Sequence, residues 1–507
     1  MFKLNIKIDE KKNLLNSASE FLAFIIENDW VNEQINGLNK KLNILLSPLQ
    51  KKILIDSGTV SVSQPVNHPE IIKLIYVKKE KSFNTDYFRN AMSGYISGMN
   101  KSFVQSLYIL LPQFSEFRTV FENETYFYQT FLEGIHYGNY EFDKYKSDRK
   151  GSKPLTVYLA SEDTAFNVKS LNTAIDSANH IMDALNFARD LQNEPANVIT
   201  PETFCTSVKN KCSNSSIKVS YWDENDLKKK KLNGILAVGG GSANPPRLLW
   251  MHYSPKDKSK SVKPKHIVLV GKGVTFDTGG ISIKPSADMW EMKGDMAGAS
   301  IAASALISAE KLNLPVELTA IIPLAENMPS GSAFRPGDII TTASGKSVEI
   351  DNTDAEGRII LADALYLASK EKPDLIIDVA TLTGAITVAL GLYAAGVFSN
   401  NDDYAKLLYA SGINTYELVW QFPLWNEYGK LIKSDVADVS NLSGKLGGAI
   451  KAAKFLQLFV DEKTPWMHID IAGPSSPHDL TSYTKKYMTG FGHRLLIDFL
   501  IRMNSES

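Results

Sequence analysis

The chain has 507 residues, of which 44% are hydrophobic and 22% are charged, and its formal net charge at pH 7 is −1. This composition is typical of a globular protein with more than one domain, and the balanced charge gives no overall attraction to nucleic acid or to a membrane. Only two cysteines occur, Cys205 and Cys212, which excludes a disulfide scaffold and predicts free thiols. The N-terminal segment lacks the apolar core of a signal peptide and no apolar run approaches the length of a membrane span, so we expect a cytoplasmic protein.

The first 168 residues are predicted to form a separate, smaller α/β domain. Short apolar or alternating runs predict strands at 2–8, 71–77, 106–111 and 155–160, and an aromatic-rich segment predicts a helix at 117–140. None of these segments carries a cluster of catalytic side chains. A long amphipathic pattern at 172–192 predicts a helix inside a linking segment, 169–193.

Residues 194–507 are predicted to form the larger, catalytic domain. Strands are predicted at 267–270, 316–322, 375–380, 393–398 and 468–472, and helices at 297–310, 359–370, 448–459 and 491–501. This alternation indicates a central, mostly parallel or mixed sheet flanked by helices, so the predicted fold class is α/β with two domains. Sites in such sheets lie at the carboxyl ends of strands. Asp277 follows the strand at 267–270 and Asp354 follows an apolar segment at 348–350, in agreement with that rule.

Two stretches of this second domain concentrate charged side chains. The stretch IVLVGKGVTFDTGGISIKPSADMWEMKGDMAGASIAA, at 267–303, contributes Lys272, Asp277, Lys284 and Asp295, and NTDAEGRIILADA, at 352–364, contributes Asp354, Glu356 and Arg358. Like charges gathered in one site push each other toward protonation unless something compensates them. Two divalent metal ions would balance the four carboxylates, and they would suit a hydrolytic site in which paired ions activate a water molecule.

Each of these residues also has a simpler interpretation. Asp295 precedes a helix rich in small residues, where a carboxylate commonly interacts with free backbone N–H groups. Asp354 and Glu356 could be first-turn acids of the following helix, and the lysines and the arginine could be solvated or paired at the surface. The joint occurrence of all seven favours a single site.

The segments VGKGVTFDTGG, MKGDMAG and NTDAEGR, with the lysine of SIKP, resemble the signature segments of the leucyl aminopeptidase family in order and spacing. The resemblance extends more weakly from about Leu185 to the C-terminus, through ARDLQNEPAN, AVGGGSANPPR, ATLTGA and IDIAG. Members of this family are cytosolic dimetal exopeptidases. The resemblance therefore implies an aminopeptidase that releases N-terminal residues, preferentially leucine or other apolar residues, from peptides through a two-metal-activated water.

The resemblance also implies a set of metal ligands. Asp277 and Glu356 would bridge two metal ions. Asp354 would complete one metal site, and Asp295 with the neutral amine of Lys272 would complete the other. Family precedent implies zinc, with manganese or magnesium exchangeable, since carboxylate ligands alone do not distinguish these metals.

The remaining implied roles concern the substrate. Lys284 would stabilise the oxyanion that develops at the scissile carbonyl, and Arg358 would hold a bicarbonate ion that acts as the general base. An apolar pocket for the first side chain would be lined by Met292, Thr381, Gly384 and Ala472. The family further implies a homohexamer.

Two other classes of function are alternatives to a peptidase: nucleic-acid binding and phosphoryl transfer. A nucleic-acid-binding role would need a basic groove, which the balanced charge does not favour. A phosphoryl-transfer enzyme could use paired metals with lysine and arginine, but the sequence contains no GxxxxGK[ST] loop. His468, in the segment WMHIDIAG, is predicted to be a hydrogen-bonded core residue rather than a metal ligand.

Overall fold

A computed structural model describes residues 1–11, 13–64, 69–99, 104–149, 151–161, 166–255 and 264–505 of the chain. The chain divides into two compact units, Met1–Asn179 and His180–Ser507. The predicted domain limits, with a linking helix at 169–193 between the two domains, stay a prediction. Both units combine helices with sheets, so the predicted α/β class is confirmed.

The first unit is built on a six-stranded sheet. Its strands are β1 (Phe2–Ile8), β2 (Glu20–Ile26), β3 (Thr59–Ser63), β4 (Ile71–Val77), β5 (Ser106–Leu111) and β6 (Lys153–Ser161). They lie in the order β1-β6-β5-β2-β4-β3, and all neighbours are parallel except the antiparallel pair β3 and β4. The four strands predicted here are all present, whereas β2 and β3 were missed.

Four helices accompany this sheet and a long fifth one follows it. They are α1 (Val31–Leu42), α2 (Pro48–Ser57), α3 (Tyr87–Gly98), α4 (Glu124–Asn139) and α5 (Val168–Asn193). The prediction of one helix over 117–140 was wrong at its start, because α4 begins only after Asn123, whose side chain accepts a hydrogen bond from the backbone N–H of Tyr126. The preceding residues form a short 3-10 turn at Phe114–Phe117. The long helix predicted at 172–192 is α5.

The core of the first unit lies on both faces of the sheet, and β2 shows why. Along β2 the side chains of Leu22, Phe24 and Ile26 pack into one apolar cluster, whereas Phe21, Ala23 and Ile25 pack into another. Successive side chains of a strand point to opposite faces. A strand covered on both faces therefore consists of a continuous apolar run.

The second unit contains a nine-stranded mixed sheet. Its strands are β7 (Lys218–Trp222), β8 (Arg247–Tyr253), β9 (His266–Gly271), β10 (Gly273–Asp277), β11 (Glu317–Asn327), β14 (Leu375–Ala380), β15 (Ala394–Ser399), β16 (Leu418–Gln421) and β18 (Trp466–Asp470). A separate small sheet consists of β12 (Ile339–Thr341), β13 (Ser347–Glu349) and β17 (Val439–Ser440). The large sheet has the order β16-β15-β18-β14-β9-β11-β8-β7, and β10 pairs with β11. Its centre, from β18 through β14 and β9 to β11, is parallel.

The helices of the second unit follow the predicted alternation. They are α6 (Pro201–Lys211), α7 (Glu224–Lys229), α8 (Asn233–Gly239), α9 (Ala297–Lys311), α10 (Glu356–Lys370), α11 (Gly384–Leu390), α12 (Asp402–Thr415), α13 (Asn426–Gly429), α14 (Gly448–Gln457) and α15 (His493–Ser505). Thr200 caps α6 through a hydrogen bond from the N–H of Thr203. Among the described helices, none is long and apolar enough to cross a membrane. Cys205 and Cys212 are both free and buried.

One placement inferred from the sequence was wrong. The strand that precedes Asp354 is β13, which belongs to the small sheet and not to the central one. A second difference lies at the strand predicted to end before Asp277, because the chain continues past Lys272 into β10. Asp277 therefore ends a strand of its own, paired with Asn327 of β11.

Candidate metal centre

Parallel strands of the large sheet end side by side at one edge, and the charged residues gather there. Lys272 follows the last residue of β9, and its backbone N–H donates to the carbonyl of Val379 on β14, at 3.0 Å. Its ammonium lies 2.8 Å from Asp295 and 2.9 Å from Glu356. The ammonium also donates to the carbonyl of Thr381, at 2.9 Å. Lys272 thus joins three separate segments at the sheet edge.

Asp277 is fixed by its strand and by the turn that follows. Its carboxylate accepts hydrogen bonds from the side chain of Asn327, at 2.8 Å, and from the N–H of Gly279, at 2.9 Å. Gly279 has φ +85° and Gly280 has φ +67°, a left-handed conformation that a glycine adopts without strain. The turn sends the chain back toward Asp277, whose carboxylate lies 2.9 Å from the ammonium of Lys284.

Asp295 is brought to Lys272 by the close approach of α9 to the sheet. A Cβ on Gly298, in the first turn of α9, would lie 2.0 Å from the carbonyl oxygen of Val379, so the approach requires glycine. The N–H of Ala299 donates to the carbonyl of Lys272, at 2.8 Å. In the described structure no side chain caps α9, and Asp295 instead accepts from the ammonium of Lys272 and from the hydroxyl of Thr381.

Asp354 and Glu356 come from the loop before α10 and from its first residue. The ammonium of Lys284 contacts Asp354, and Glu356 lies 2.9 Å from Lys272. Thr353, just before Asp354, is fully buried and donates to the carbonyl of Gly279, at 2.6 Å. The two charged stretches, 267–303 and 352–364, are therefore hydrogen-bonded to each other, and their carboxylates converge.

Burial and mutual repulsion shape the charges of this cluster. Burial raises the pKa of Glu356 to about 8, and the nearby carboxylates of Asp277 and Asp295 add to the shift. Burial also raises the pKa of Asp295 to about 6. For Lys272 burial alone would lower the pKa, but the surrounding carboxylates outweigh it and raise the pKa of the amine. With no cation beside the cluster both lysines are therefore charged, whereas a divalent ion next to Lys272 would lower the pKa of its amine.

The donor set fits a divalent cation. One oxygen each of Asp277, Asp354 and Glu356 lies within 4.8 Å of the other two. Single oxygens of Asp295, Asp354 and Glu356 are buried and accept no hydrogen bond from the described residues, although each lies at ion-pair distance from a lysine. Carboxylate oxygens are the donors that magnesium, calcium and manganese prefer, and they also ligate zinc. A cluster of converging carboxylates held by two lysine ammonium groups is a donor set that such an ion would bind.

Arg358 lies in the first turn of α10, two residues after Glu356, and is buried. Its guanidinium donates to the carbonyl of Asn441, at 2.7 Å, and its Nε has no acceptor among the described residues. Burial lowers the pKa of Arg358 to about 10, while Glu356 and Asp470 act in the opposite direction. The group remains a cation near neutral pH.

The four residues predicted to line a pocket lie on three segments near this cluster. Met292 lies in the 3-10 turn Met289–Gly294, and its carbonyl accepts from the N–H of Asp295, at 3.2 Å. Thr381 follows β14, Gly384 begins α11, and Ala472 follows β18. Met292, Thr381 and Ala472 are partly buried, and Gly384 is exposed.

His468 is a core residue, as predicted. It is fully buried in β18, and its Nδ1 lies 2.5 Å from the carboxylate of Asp378, which also accepts from the indole N–H of Trp466. The ring stacks on Phe398, with 5.8 Å between centroids. The imidazole is thus paired within the sheet and is not one of the convergent groups.

Two asparagines of the site were missed by the sequence analysis. Asn327 holds Asp277 and also donates to the carbonyl of Thr353, at 3.1 Å. Asn441 accepts from Arg358 and donates to the carbonyl of Asn352, at 2.7 Å. Neither lies in a recognisable motif. The only available signal was the position of Asn327 at the end of a long apolar run.

The catalytic-domain profile described as "Cytosol aminopeptidase family, catalytic domain" matches residues 186–497, which is more than half of the chain. The chain belongs to the cytosol aminopeptidase family. It is therefore an aminopeptidase, a hydrolase of the exopeptidase type, and membership supports metal-dependent cleavage of peptides. The predicted leucyl aminopeptidase resemblance is confirmed.

Two relatives of this cytosol aminopeptidase match 98% and 72% of its length. The probable cytosol aminopeptidase of Chloroherpeton thalassium is 38% identical over 510 residues, covering 98% of this chain and 99% of that protein. That of Chlorobaculum parvum is 47% identical over 371 residues, covering 72% of this chain and 73% of that protein.

Solved structures extend the likeness to both units of the aminopeptidase. A mutant of tomato leucine aminopeptidase has a TM-score of 0.84 at 29% identity, covering 99% of this chain and 97% of that one. The bottromycin maturation enzyme BotP in complex with Mn has a TM-score of 0.81 at 29% identity, covering 96% of this chain and 99% of that one.

Proposed function

We propose that this chain is a dimetal leucyl aminopeptidase that removes an N-terminal leucine or another apolar residue from peptides. The observation that carries the proposal is the convergence of Asp277, Asp354 and Glu356 within 4.8 Å, with Lys272 and Asp295 adjoining them. This one cluster contains every ligand that the family resemblance implies.

These residues would hold two metal ions. Asp277 and Glu356 would be shared by both ions, and Asp354 would complete one site. Asp295 would complete the other with Lys272, which would have to bind as the neutral amine. The family resemblance supports zinc as the resident metal with manganese or magnesium exchangeable, and the Mn complex of BotP supports manganese.

Paired divalent ions supply Lewis acidity and an activated water at neutral pH. The chain's own residues supply the rest. Lys284 contacts the cluster and has 23% of its side chain exposed. Nearby carboxylates raise its pKa against the effect of burial, so it would meet the substrate as an ammonium ion. We assign it to the oxyanion that develops on the scissile carbonyl, where preorganised donors act most strongly.

Arg358 is assigned to an anion. It is a buried guanidinium whose Nε lacks an acceptor among the described residues, and a bicarbonate ion would supply one. Arg358 would hold a bicarbonate ion as the general base for the attacking water. No histidine converges on the described cluster to take this role, since His468 is paired with Asp378.

Met292, Thr381, Gly384 and Ala472 are assigned to the pocket for the first side chain. The side chains there are small or apolar, and one methylene in such a pocket is worth about 1–3 kcal/mol, so the preference for leucine over smaller residues should be graded. Cytoplasmic location and a homohexamer complete the proposal; the names of the relatives support the first, and family resemblance alone supports the second.

Metal removal and hydrolysis of leucyl amide test the proposal. Purified protein is treated with EDTA, dialysed, and assayed alone and with Mn²⁺, Zn²⁺ or Mg²⁺, while bound metal is measured by elemental analysis. We expect two metal ions per chain, loss of activity after chelation and its return with Mn²⁺ or Zn²⁺. Rates of hydrolysis of leucyl, methionyl, alanyl and glutamyl amides measure the preference of the pocket for the first side chain.

A matched pair of substitutions assigns the activity to this cluster. Asp354→Asn removes a proposed ligand, whereas Asp351→Asn changes an exposed aspartate three residues earlier. Asp354→Asn should bind less metal and lose most activity, and Asp351→Asn should retain both. Full activity in protein shown to contain no metal, or two tightly bound ions in Asp354→Asn, would refute the proposed centre.

A further inference from the structure

We infer that Asp470 is a positioning residue. Through the loop 381–383, between β14 and α11, it fixes the positions of the proposed metal ligands and of the proposed substrate pocket relative to each other. The inference rests on the proposed function. Asp470 is the last residue of β18 and is fully buried. It lies in the segment IDIAG, where the family resemblance is weaker, and in neither of the two charged stretches.

The carboxylate of Asp470 is surrounded by donors. It accepts from the N–H of Leu382 at 3.0 Å, from the N–H of Thr383 at 3.4 Å and from the hydroxyl of Thr383 at 2.7 Å. A fourth donor is the N–H of Ala472, at 3.3 Å. Asp470 therefore binds the loop that leaves β14 and the residue that leaves β18.

The register of the sheet places this carboxylate beside the loop. Asp470 pairs with Ala380, the last residue of β14, and the N–H of Ile471 donates to the carbonyl of Ala380 at 2.9 Å. The loop starts at the next residue. Because parallel strands end together at this edge, a carboxylate that ends one strand reaches the N–H groups that follow its neighbour.

The first residue of the same loop contacts two proposed metal ligands. The carbonyl of Thr381 accepts from the amine of Lys272 at 2.9 Å, and its hydroxyl donates to Asp295 at 2.7 Å. Only one residue separates Thr381 from Thr383, which Asp470 holds through two donors. A displaced loop would therefore move the Lys272 amine and the Asp295 carboxylate together.

The other end of the loop forms the pocket. The hydroxyl of Thr383 accepts from the N–H of Ile386 at 3.2 Å and so caps α11, which begins at Gly384. Ala472 is held by its own N–H bond to Asp470. Three of the four proposed pocket residues are thus tied, directly or through one neighbour, to one buried carboxylate.

An aspartate accepts all four of these hydrogen bonds, three of them on one oxygen and the bond from the Thr383 hydroxyl on the other. An asparagine that kept its oxygen toward the three N–H groups would turn its NH₂ group to the Thr383 hydroxyl, which would then have to accept a hydrogen bond instead of donating one. It would also remove the negative charge near the buried Arg358 and His468. Loss of a residue that orients ligands commonly costs about 10–100-fold in metal affinity or activity.

Asp363 provides a matched control for the same substitution. It is also fully buried, and its carboxylate accepts from the N–H groups of Gly234, Ile235 and Ala343 at 2.8, 3.2 and 2.8 Å. None of these donors lies on a segment that carries a proposed ligand. Asp363→Asn therefore imposes a similar buried polar defect without touching the loop after β14.

The experiment compares Asp470→Asn, Asp363→Asn and wild-type protein at a temperature where all three are folded by circular dichroism. Binding of Mn²⁺ to EDTA-treated protein is measured by titration calorimetry, and kcat and KM are measured with leucyl amide. We expect Asp470→Asn to bind Mn²⁺ about 10–100-fold more weakly and to show a raised KM, since both sets of contacts move. Asp363→Asn should keep wild-type Mn²⁺ affinity and KM.

A second pair decides the matter if Asp470→Asn does not fold. Thr383→Val removes the hydroxyl that bonds Asp470 at nearly constant volume, and Thr383→Ser retains it. We expect Thr383→Val to weaken Mn²⁺ binding and Thr383→Ser to restore it. Unchanged Mn²⁺ affinity in Asp470→Asn or Thr383→Val, or an equal loss in Asp363→Asn, overturns the inference. Wild-type protein that binds no Mn²⁺ refutes the proposed metal centre first, and the inference with it.

Discussion

Lys272 lies against Gly357 so closely that a Cβ at position 357 would be 2.5 Å from Cε of the lysine and 2.8 Å from its Nζ. Gly357 lies between Glu356 and Arg358 in the first turn of α10. The missing side chain leaves the space that the amine occupies. The helix that supplies Glu356, a proposed carboxylate ligand, therefore also sets the position of Lys272, the proposed amine ligand.

Gly357→Ala should separate metal binding from stability. The added methyl group would push the Lys272 amine away from Asp295 and Glu356, so we expect Mn²⁺ affinity to fall about 10-fold or more. Alanine favours a helix over glycine by about 1 kcal/mol, which offsets part of the strain. Calorimetric Mn²⁺ titration and the thermal unfolding midpoint measure the two effects.

Gly37→Ala is the control for that substitution. Gly37 lies inside α1, and no described atom outside the adjacent helix backbone would lie within 4 Å of its Cβ. We expect unchanged Mn²⁺ binding and a small gain in stability, about 0.5–1 kcal/mol. Wild-type Mn²⁺ affinity in Gly357→Ala would show that Lys272 is not a ligand that depends on this contact.

Lys284→Ala should lose turnover while retaining metal. The lysine contacts Asp277 and Asp354, so its removal leaves more uncompensated negative charge, which favours a divalent cation. Loss of one donor to a developing oxyanion typically lowers kcat by about 10²–10³-fold. Steady-state kinetics with leucyl amide at saturating Mn²⁺ measure this, with the exposed Lys229→Ala as control. A wild-type kcat in Lys284→Ala would remove this lysine from the mechanism.

Asp363 should make stability depend on pH in a defined direction. Burial raises the pKa of this carboxyl to about 7, although three backbone N–H groups donate to it. In the unfolded chain an aspartate titrates near pH 4. Between these values the folded protein holds a proton that the unfolded chain has released, so this contribution to stability is full below about pH 4 and is lost as the pH rises through about 7.

Comparison with Asp363→Asn isolates that effect, because asparagine does not titrate and all other groups are shared. We expect the difference in unfolding midpoint, wild type minus Asp363→Asn, to decrease between about pH 5 and about pH 8. Thermal unfolding followed by circular dichroism across this range measures it. An increase with pH would mean that folding lowers the pKa of Asp363.

Arg89 should be a stability determinant of the first unit. It is fully buried between α3 and α4, 2.7 Å from Glu133 and 2.5 Å from Asp86. Arg89→Met would leave both carboxylates buried beside an apolar side chain, a defect that typically costs about 3–5 kcal/mol. Urea or thermal unfolding measures it. Arg118→Met, at an exposed position, should change stability by less than about 0.5 kcal/mol, and an equally small effect of Arg89→Met would contradict the expectation.

Helices and strands with a strong local sequence pattern were predictable. Strands that are recognised only by their pairing with a neighbouring strand were not. The strand at β9 and the long helix α5 follow from apolar runs and from helical periodicity. The run EFLAFII of β2 is equally apolar, but periodicity alone does not distinguish a buried strand from a buried helix segment. The segment GVTFD of β10 follows β9 after a single residue, and its pairing with β11 shows that it is a strand of its own.

The residues of the candidate site also divide into those that the sequence indicated and those that only their contacts revealed. The charged groups lie in two short segments, so their order and spacing were visible before any fold was known. Asn327 and Asn441 lie outside the quoted segments, and Asp470 lies in IDIAG without a role assigned from the sequence. The importance of all three follows from what they contact. The roles of the predicted ligands and pocket residues stay predictions until metal and substrate are tested.

The amino-acid sequence by itself determined the family, the α/β class and the chemical types gathered at the site, because ligand chemistry is concentrated in contiguous segments. Only the tertiary structure decided how those groups are held. The amine of Lys272 donates to the carbonyl of Thr381, which lies 109 residues further along the chain. Such a contact depends on which strand ends lie side by side, and that order is set by the packing of the whole sheet rather than by any local pattern.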